Sequence, residues 1–257
     1  MKPRTLRYTF LSILLAIVTY TAIWGKRSFE AWCPFGGMES LWGLFTVGQF
    51  SCVTGPLNLS MLVAIIVLAI LAKKTFCSWG CPIGFLQELQ NKVTRRFFPN
   101  RKPLNPKLNS WLKPLRYITL VVALYFTYRT GELILRGYDP FYIIFSGFGH
   151  GTLGWVSVTI LGLLFIGAFI IPMFFCRYFC PLGATLDPFS RIGLIKIVRN
   201  TETCLECGDC ATACPHDIKP FTVTRVNHRD CTNCLECIQA CPVDDCLVLK
   251  LSPQVKS

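Results

Sequence analysis

Histidine and acidic residues are scarce in this sequence. Three histidines occur in 257 residues, and only His150 lies near an apolar stretch, which excludes a bis-histidine haem pair inside a helical bundle. No Cys-x-x-Cys-His occurs, so no c-type haem is attached to the chain. Neither a Gly-x-Gly-x-x-Gly fingerprint nor a phosphate-binding loop appears, which removes the two common nucleotide sites. Asp and Glu number 14 against 26 Lys and Arg, and no ring of charge lines the apolar stretches, so a solute channel finds little support. Charged residues make up 16% of the chain and hydrophobic ones 52%, a balance that suits an integral membrane protein better than a cytosolic enzyme. The net charge of +12 does not mark a nucleic-acid binder: no such module is recognisable, and the basic residues cluster beside apolar runs.

Cysteine, by contrast, is plentiful at fifteen. Two runs, CLECGDCATACP from Cys204 and CTNCLECIQACP from Cys231, each read C-x2-C-x2-C-x3-C-P, the bacterial two-cluster ferredoxin spacing. In that pattern three close thiolates hold one cubane and the fourth crosses to the other. One [4Fe-4S] cluster is therefore expected on Cys204, Cys207, Cys210 and Cys241, the second on Cys231, Cys234, Cys237 and Cys214. Pro215 and Pro242 end the turn after each crossing ligand. A pair of all-cysteine zinc sites is the alternative, but zinc modules set two CxxC arms across a longer gap. Cluster ligands must stay reduced, which puts this part of the chain in the cytoplasm. Cys246 is surplus to the eight and reads as a small buried residue beside a cluster.

Four apolar stretches approach the length needed to cross a hydrocarbon core of about 30 Å. They are 8–24, 57–72, 115–128 and 153–175, the third short and flanked by Arg116 and Arg129, which would have to snorkel outward. The first follows MKPRTLR without a small-x-small cleavage site and reads as an uncleaved span. Lys and Arg number three before the first span, ten from Lys73 to Arg116 and nine after the fourth, against two in each remaining loop. By the positive-inside rule both termini and the middle segment are cytoplasmic and the protein is a multi-pass protein of the inner membrane. The basic, aromatic stretch 85–113 reads as lying on the anionic leaflet.

The two halves repeat. FCSWGCPIG at 76–84 matches FCRYFCPLG at 175–183, an offset of 99 that also relates Glu88 to Asp187. Upstream, Pro34 and Phe35 match Pro140 and Phe141 at an offset of 106. The expected fold is thus an all-α membrane domain, residues 1–190, of four transmembrane helices in two repeated hairpins. A small α+β two-cluster ferredoxin domain, 191–257, follows, with its first strand at 192–198. Cys77 and Cys81, four apart, are expected on one face of the last turn of the second span, and Cys176 and Cys180 likewise on the fourth. Related by the repeat axis, these four thiols would hold a further Fe–S cluster or a zinc, or work as two thiol/disulfide pairs; the residues leave these open. Cys33 and Cys52 share an outer loop and read as a disulfide, or else as a ligand pair or relay.

With four spans, CPFGGMES in the first outer loop, paired CxxxCP motifs and a C-terminal double-cluster ferredoxin, the chain resembles the NapH/MauN family of membrane components of quinol dehydrogenases. The same elements recur in the membrane regions of NosR-like proteins and of CcoG-like oxidase-assembly proteins. The resemblance implies oxidation of quinol (menaquinol or another quinol) within the membrane. Electrons would pass to a redox partner subunit, a periplasmic iron–sulfur protein or a multihaem cytochrome c. Alternatives are a metal-reducing assembly or redox-regulatory role, and electron flow from a cytoplasmic donor such as ferredoxin to quinone. Quinol oxidation releases protons, for which Glu39 is the candidate acceptor, with Asp139 and His150 behind it. Trp42 would stack on the quinone ring or serve as an interfacial anchor.

Overall fold

The computed structural model of the chain describes residues 3–24, 34–48, 55–98, 105–130, 139–146 and 154–251. It is mostly helical. Long helices α1 (Pro3–Trp24) and α3 (Gly55–Ala72) coincide with the first two apolar stretches. Both are long and apolar enough to cross a membrane, whereas α7 (Leu115–Thr130) and α9 (Gly154–Ile170), at the third and fourth stretches, are shorter. Between them stand α2 (Pro34–Val47), α4 (Thr75–Trp79), α5 (Pro82–Phe97), α6 (Pro106–Leu112) and α8 (Pro140–Phe145), and after them α10 (Phe174–Tyr178) and α11 (Pro181–Ile192). Proline opens α5, α6, α8 and α11, where its missing N–H is not needed and its φ suits the first turn. Asn105 and Asp139 cap α6 and α8, accepting from the N–H of Lys107 and Phe141 at 3.1 and 3.0 Å.

The repeat is present in the backbone. Helices begin at residues 55, 75 and 82 in the first half and at 154, 174 and 181 in the second, each pair 99 apart. The stretches around Pro34 and Pro140, expected as outer loops, are helices that start at those prolines. One expectation is corrected. Cys77 and Cys81 do not share the last turn of the second span, because that helix ends at Ala72. Lys73 takes a left-handed conformation (φ 62°), Cys77 falls in the separate helix α4, and Cys81 caps α5, its sulfur accepting from Gly84 N at 3.5 Å. The second half does the same: Met173 is left-handed (φ 54°), Cys176 lies in α10, and Cys180 accepts from Gly183 N at 3.4 Å.

The two glycines are not equivalent. A Cβ on Gly84 would run into the carbonyl oxygen of Cys77, which is backbone and cannot swing aside; on Gly183 the nearest atom, Cys176 O, lies 3.4 Å off. Gly84→Ala should therefore destabilise the protein by about 1–3 kcal/mol through overpacking, while Gly183→Ala is tolerated. Thermal unfolding of both variants in detergent checks the contrast.

Chain contacts group into two compact units. One comprises residues 12–65 and 104–185. In it α2 packs on α7, and α8 and α10 pack on α9. Much of its helical surface is apolar and uncovered: Ile17 and Tyr20 of α1, Val63 of α3, Val121 and Tyr125 of α7, Ile166 and Ile170 of α9 are all exposed. Water-soluble proteins rarely leave contiguous apolar surface of this kind. Arg116 corrects a second expectation, being only 1% exposed: it is buried in the first turn of α7 and does not snorkel, whereas Arg129 is exposed.

The other unit comprises residues 1–11, 66–103 and 186–257. The boundary expected at residue 190 is one of sequence; in space the ferredoxin module shares this unit with the start of α1, the end of α3, and α4 and α5. The module has one antiparallel pair, β1 (Ile195–Arg199) with β2 (Leu247–Leu251), in the register Ile195 opposite Leu251. Short helices α12 (Asp209–Ala213) and α13 (Glu236–Gln239) carry the third cysteine of each run, Cys210 and Cys237. Ile197, Val226 and Leu247 form its core together with Cys210, Cys231 and Cys237.

Candidate iron–sulfur centres

Both cysteine runs fold into the same loop. The residue before the second cysteine and the one after it are left-handed each time: Glu206 (φ 52°) and Gly208 (φ 84°), then Asn233 (φ 47°) and Leu235 (φ 64°). Such turns direct successive backbone N–H groups toward one point, a nest suited to an anionic group. Several N–H groups do reach sulfur: Glu206 donates to Cys204, Glu236 to Cys234, and His216 and Ile218 to Cys214.

The thiols gather in two sets. Cys204, Cys207, Cys210 and Cys241 line one cavity, closed by Phe221, Val243 and Leu247. Cys246 lines it as a fifth thiol, buried and hydrogen-bonded with Cys204 and Cys241. The thiols acting most strongly on Cys214, although it belongs to the first run, are Cys234 and Cys231 of the second, and Cys237 likewise feels Cys234, Cys214 and Cys231. Among the described residues no three Cys, His, Asp or Glu side chains close as tightly as a single metal ion requires; the gathering around the cavity is looser. Burial pushes Cys214 up to about 12, Cys234 up to about 11, and Cys237 upward too. Without a cofactor these thiols are protonated at neutral pH, so taking up iron and sulfide must release protons. The donor set fits a pair of cubanes: soft thiols, four to a site, receiving N–H bonds of the kind that stabilise and tune such clusters.

Around the second set the unit builds a cradle that the sequence did not announce. Lys73, 0% exposed, donates from Nζ to the carbonyls of Val226 (2.9 Å) and His228 (3.1 Å). Ser78 Oγ donates to Thr232 O (2.7 Å), Trp79 Nε1 to Asn233 O (3.3 Å), and Asn233 Nδ2 to Ala72 O (2.9 Å) and Ile195 O (3.0 Å). Arg95 donates to the carbonyls of Thr212 and, at 3.0 Å, Cys214. Arg7, fully buried, donates to Cys234 O (2.8 Å) and Glu236 (2.8 Å) and pairs with Glu88, itself hydrogen-bonded to Tyr8. Asp187, at the position matching Glu88, pairs instead with Lys74 at 2.6 Å. The shared offset of Glu88 and Asp187 was the one signal in the sequence for these ion pairs.

The remaining candidates are placed as follows. Asp139 is 2% exposed and its carboxylate is engaged as the cap of α8. Trp42 is on α2 and exposed. Glu39 is also on α2, but its side chain lies outside the described residues, as do Cys33, Cys52 and His150.

Comparison with known proteins adds the following. Residues 54–101 and again 153–200 match a 4Fe-4S binding domain, two copies 99 residues apart, and 196–242 match a 4Fe-4S dicluster domain. The ferredoxin-type protein NapH of Escherichia coli is 30% identical over 155 residues, 58% of this chain and 50% of that protein. The protein MJ0750 of Methanocaldococcus jannaschii is 34% identical over 190 residues, 73% of this chain and 74% of that one. The chain belongs to the NapH-like family of ferredoxin-type 4Fe-4S proteins. The putative electron transport protein YccM of Escherichia coli is also 34% identical, over 197 residues, 74% of this chain and 54% of that protein. The chain thus spans about half the length of YccM and of NapH. No solved structure matches it. The repeat read from its CxxxCP motifs coincides with two copies of a 4Fe-4S binding domain.

Proposed function

We propose that this NapH-like protein is a multi-pass membrane protein that exchanges electrons between the quinone pool and a redox partner through two [4Fe-4S] clusters. Cys204, Cys207, Cys210 and Cys241 hold one and Cys231, Cys234, Cys237 and Cys214 the other. The observation that carries this reading is the crossing of Cys214 into the second set while Cys241 lines the cavity of the first. Exposed apolar residues on α1, α3, α7 and α9 support four spans rather than two, and the distribution of Lys and Arg supports cytoplasmic termini. The description of the family model matching 54–101 and 153–200 favours iron–sulfur ligation over a thiol relay for the CxxxCP cysteines, Cys77 and Cys81 in one copy and Cys176 and Cys180 in the other. Glu39 is the candidate proton acceptor only for a quinol bound within the helical bundle. Asp139, engaged as a cap, is the poorer choice.

A redox titration of the anaerobically purified protein, followed by electron paramagnetic resonance, tests the reading. Cubane signals at midpoints within reach of the quinone couple are expected. Iron–sulfur potentials span about −700 to +450 mV, so midpoints far below quinone would exclude quinol as donor and turn the flow toward quinone reduction. Zinc in place of iron and sulfide would end the proposal.

A further inference from the structure

The function above needs a place where the lipid-soluble carrier meets the clusters. Within the ferredoxin-bearing unit one solvent-open cavity fits. It is lined by Arg4 of α1, by Asn91, Lys92 and Arg95 of α5, by Ala213 and Pro215, which bracket the crossing ligand Cys214, and by Ala240, which precedes the other crossing ligand, Cys241. A group in this cavity would thus lie against the chain at both crossing cysteines.

Asn91 points to a ligand. It is 4% exposed, lines the cavity, and among the described residues its Oδ1 has no hydrogen-bond partner. A buried carbonyl without a donor is a cost that a fold carries for a reason, and an O–H supplied from the cavity relieves it. Glu88 and Glu236, already paired with Arg7, line the cavity together with Arg4, Lys92 and Arg95. Lys92, bonded to the Tyr8 hydroxyl and 3.8 and 3.7 Å from those carboxylates, has a further ammonium hydrogen to offer an oxygen of the ligand. Ala213, Pro215 and Ala240 give a small apolar surface on which a flat ring can rest.

We infer that this cavity binds the head group of a hydroquinone or quinone, with Asn91 Oδ1 accepting a hydrogen bond from one hydroxyl and Lys92 donating to the second oxygen. The inference rests on the quinone-linked reading above and adds the site. Hydroquinone bound here loses two electrons, one to each oxidised cubane, and two protons, which leave to water at the open mouth; the reverse reaction takes up the same electrons and protons.

The test uses the full chain with its clusters, reconstituted in lipid nanodiscs, with menadiol and menadione as probes. Asn91→Leu is expected to raise the half-saturating menadiol concentration at least tenfold. Its cluster signals with dithionite should stay unchanged, and its melting temperature unchanged or higher, because the orphaned amide is gone. An azido-naphthoquinone photolabel on the unsubstituted protein should mark α5 or the segments 209–215 and 236–240, whether or not the variant folds. Full menadiol kinetics in Asn91→Leu, or a label confined to other segments, overturns the cavity while the quinone-linked function stands. Failure of the unsubstituted protein to exchange electrons with either probe overturns both.

Discussion

Arg7→Met should cost the protein about 3–5 kcal/mol and with it much of the second cubane, the penalty for removing one partner of a buried ion pair. The Arg7 guanidinium serves four acceptors at once, the carbonyl of Cys234, the carboxylates of Glu88 and Glu236 and the hydroxyl of Tyr8. Its side chain is 1% exposed and that of Glu88 only 5%, so solvent cannot replace the lost bonds. Lys92, at 3.7–3.8 Å from the same carboxylates, supplies part of the missing charge but makes no bond to the Cys234 carbonyl. The cluster loop would then be left with an unpaired carbonyl beside a ligand and two carboxylates repelling each other. Arg7→Lys is expected to fall between, because a single ammonium cannot reproduce a planar fork that spans four acceptors. Iron content per chain and thermal unfolding, measured on anaerobic protein, give the order unsubstituted, Arg7→Lys, Arg7→Met. Equal iron and equal melting for all three would show that the arginine does no more than fill space.

The sequence revealed those features whose causes are local or periodic. Eight cysteines at ferredoxin spacing identify themselves because cluster ligation demands fixed separations, and the long apolar helices show because hydropathy accumulates along the chain. The repeat was visible for the same reason: Cys77 and Cys176 carry their neighbours with them. What stayed hidden depends on partners far apart in sequence. Arg7 pairs with residues 81 and 229 positions away, and Lys73 with carbonyls 153 and 155 away. Read along the chain, Lys73 and Lys74 look like ordinary flanking charges and Arg7 like part of a basic leader. In space Lys73 and Arg7 hold the ferredoxin loop, and Lys74 is bound to Asp187. The misplacement of Cys77 follows from this. A helix-period reading continues α3 to Cys81, but Lys73 must turn toward the ferredoxin loop, and the left-handed step that turns it ends the helix. Arg116 was misjudged in the same way: one buried cation looks no different from a snorkelling one until its neighbours are known.

Cys214→Ala should abolish the cubane held by the other run while sparing the one nearer to it in sequence. Cys214 ends the first run, yet its strongest thiol neighbours are Cys234 and Cys231, and burial pushes it up to about 12. Burial keeps this thiol protonated and unreactive at neutral pH, so ligation by it would release a proton. Loss of Cys214 leaves three thiolates for four irons and should remove one cubane's iron, about four atoms per chain. Cys241→Ala is expected to behave differently. Cys246 is buried within hydrogen-bonding reach of both Cys204 and Cys241, so a spare thiol stands where the crossing ligand is lost. The single Cys241→Ala variant should therefore retain part of its first cubane with a shifted midpoint, and the Cys241→Ala, Cys246→Ala pair should lose it. Cys246→Ala alone should keep both clusters. Iron and acid-labile sulfide analysis with electron paramagnetic resonance separates these outcomes. If Cys214→Ala emptied the first-run site and left the second intact, the crossed assignment would be wrong, and each run would hold its own cluster.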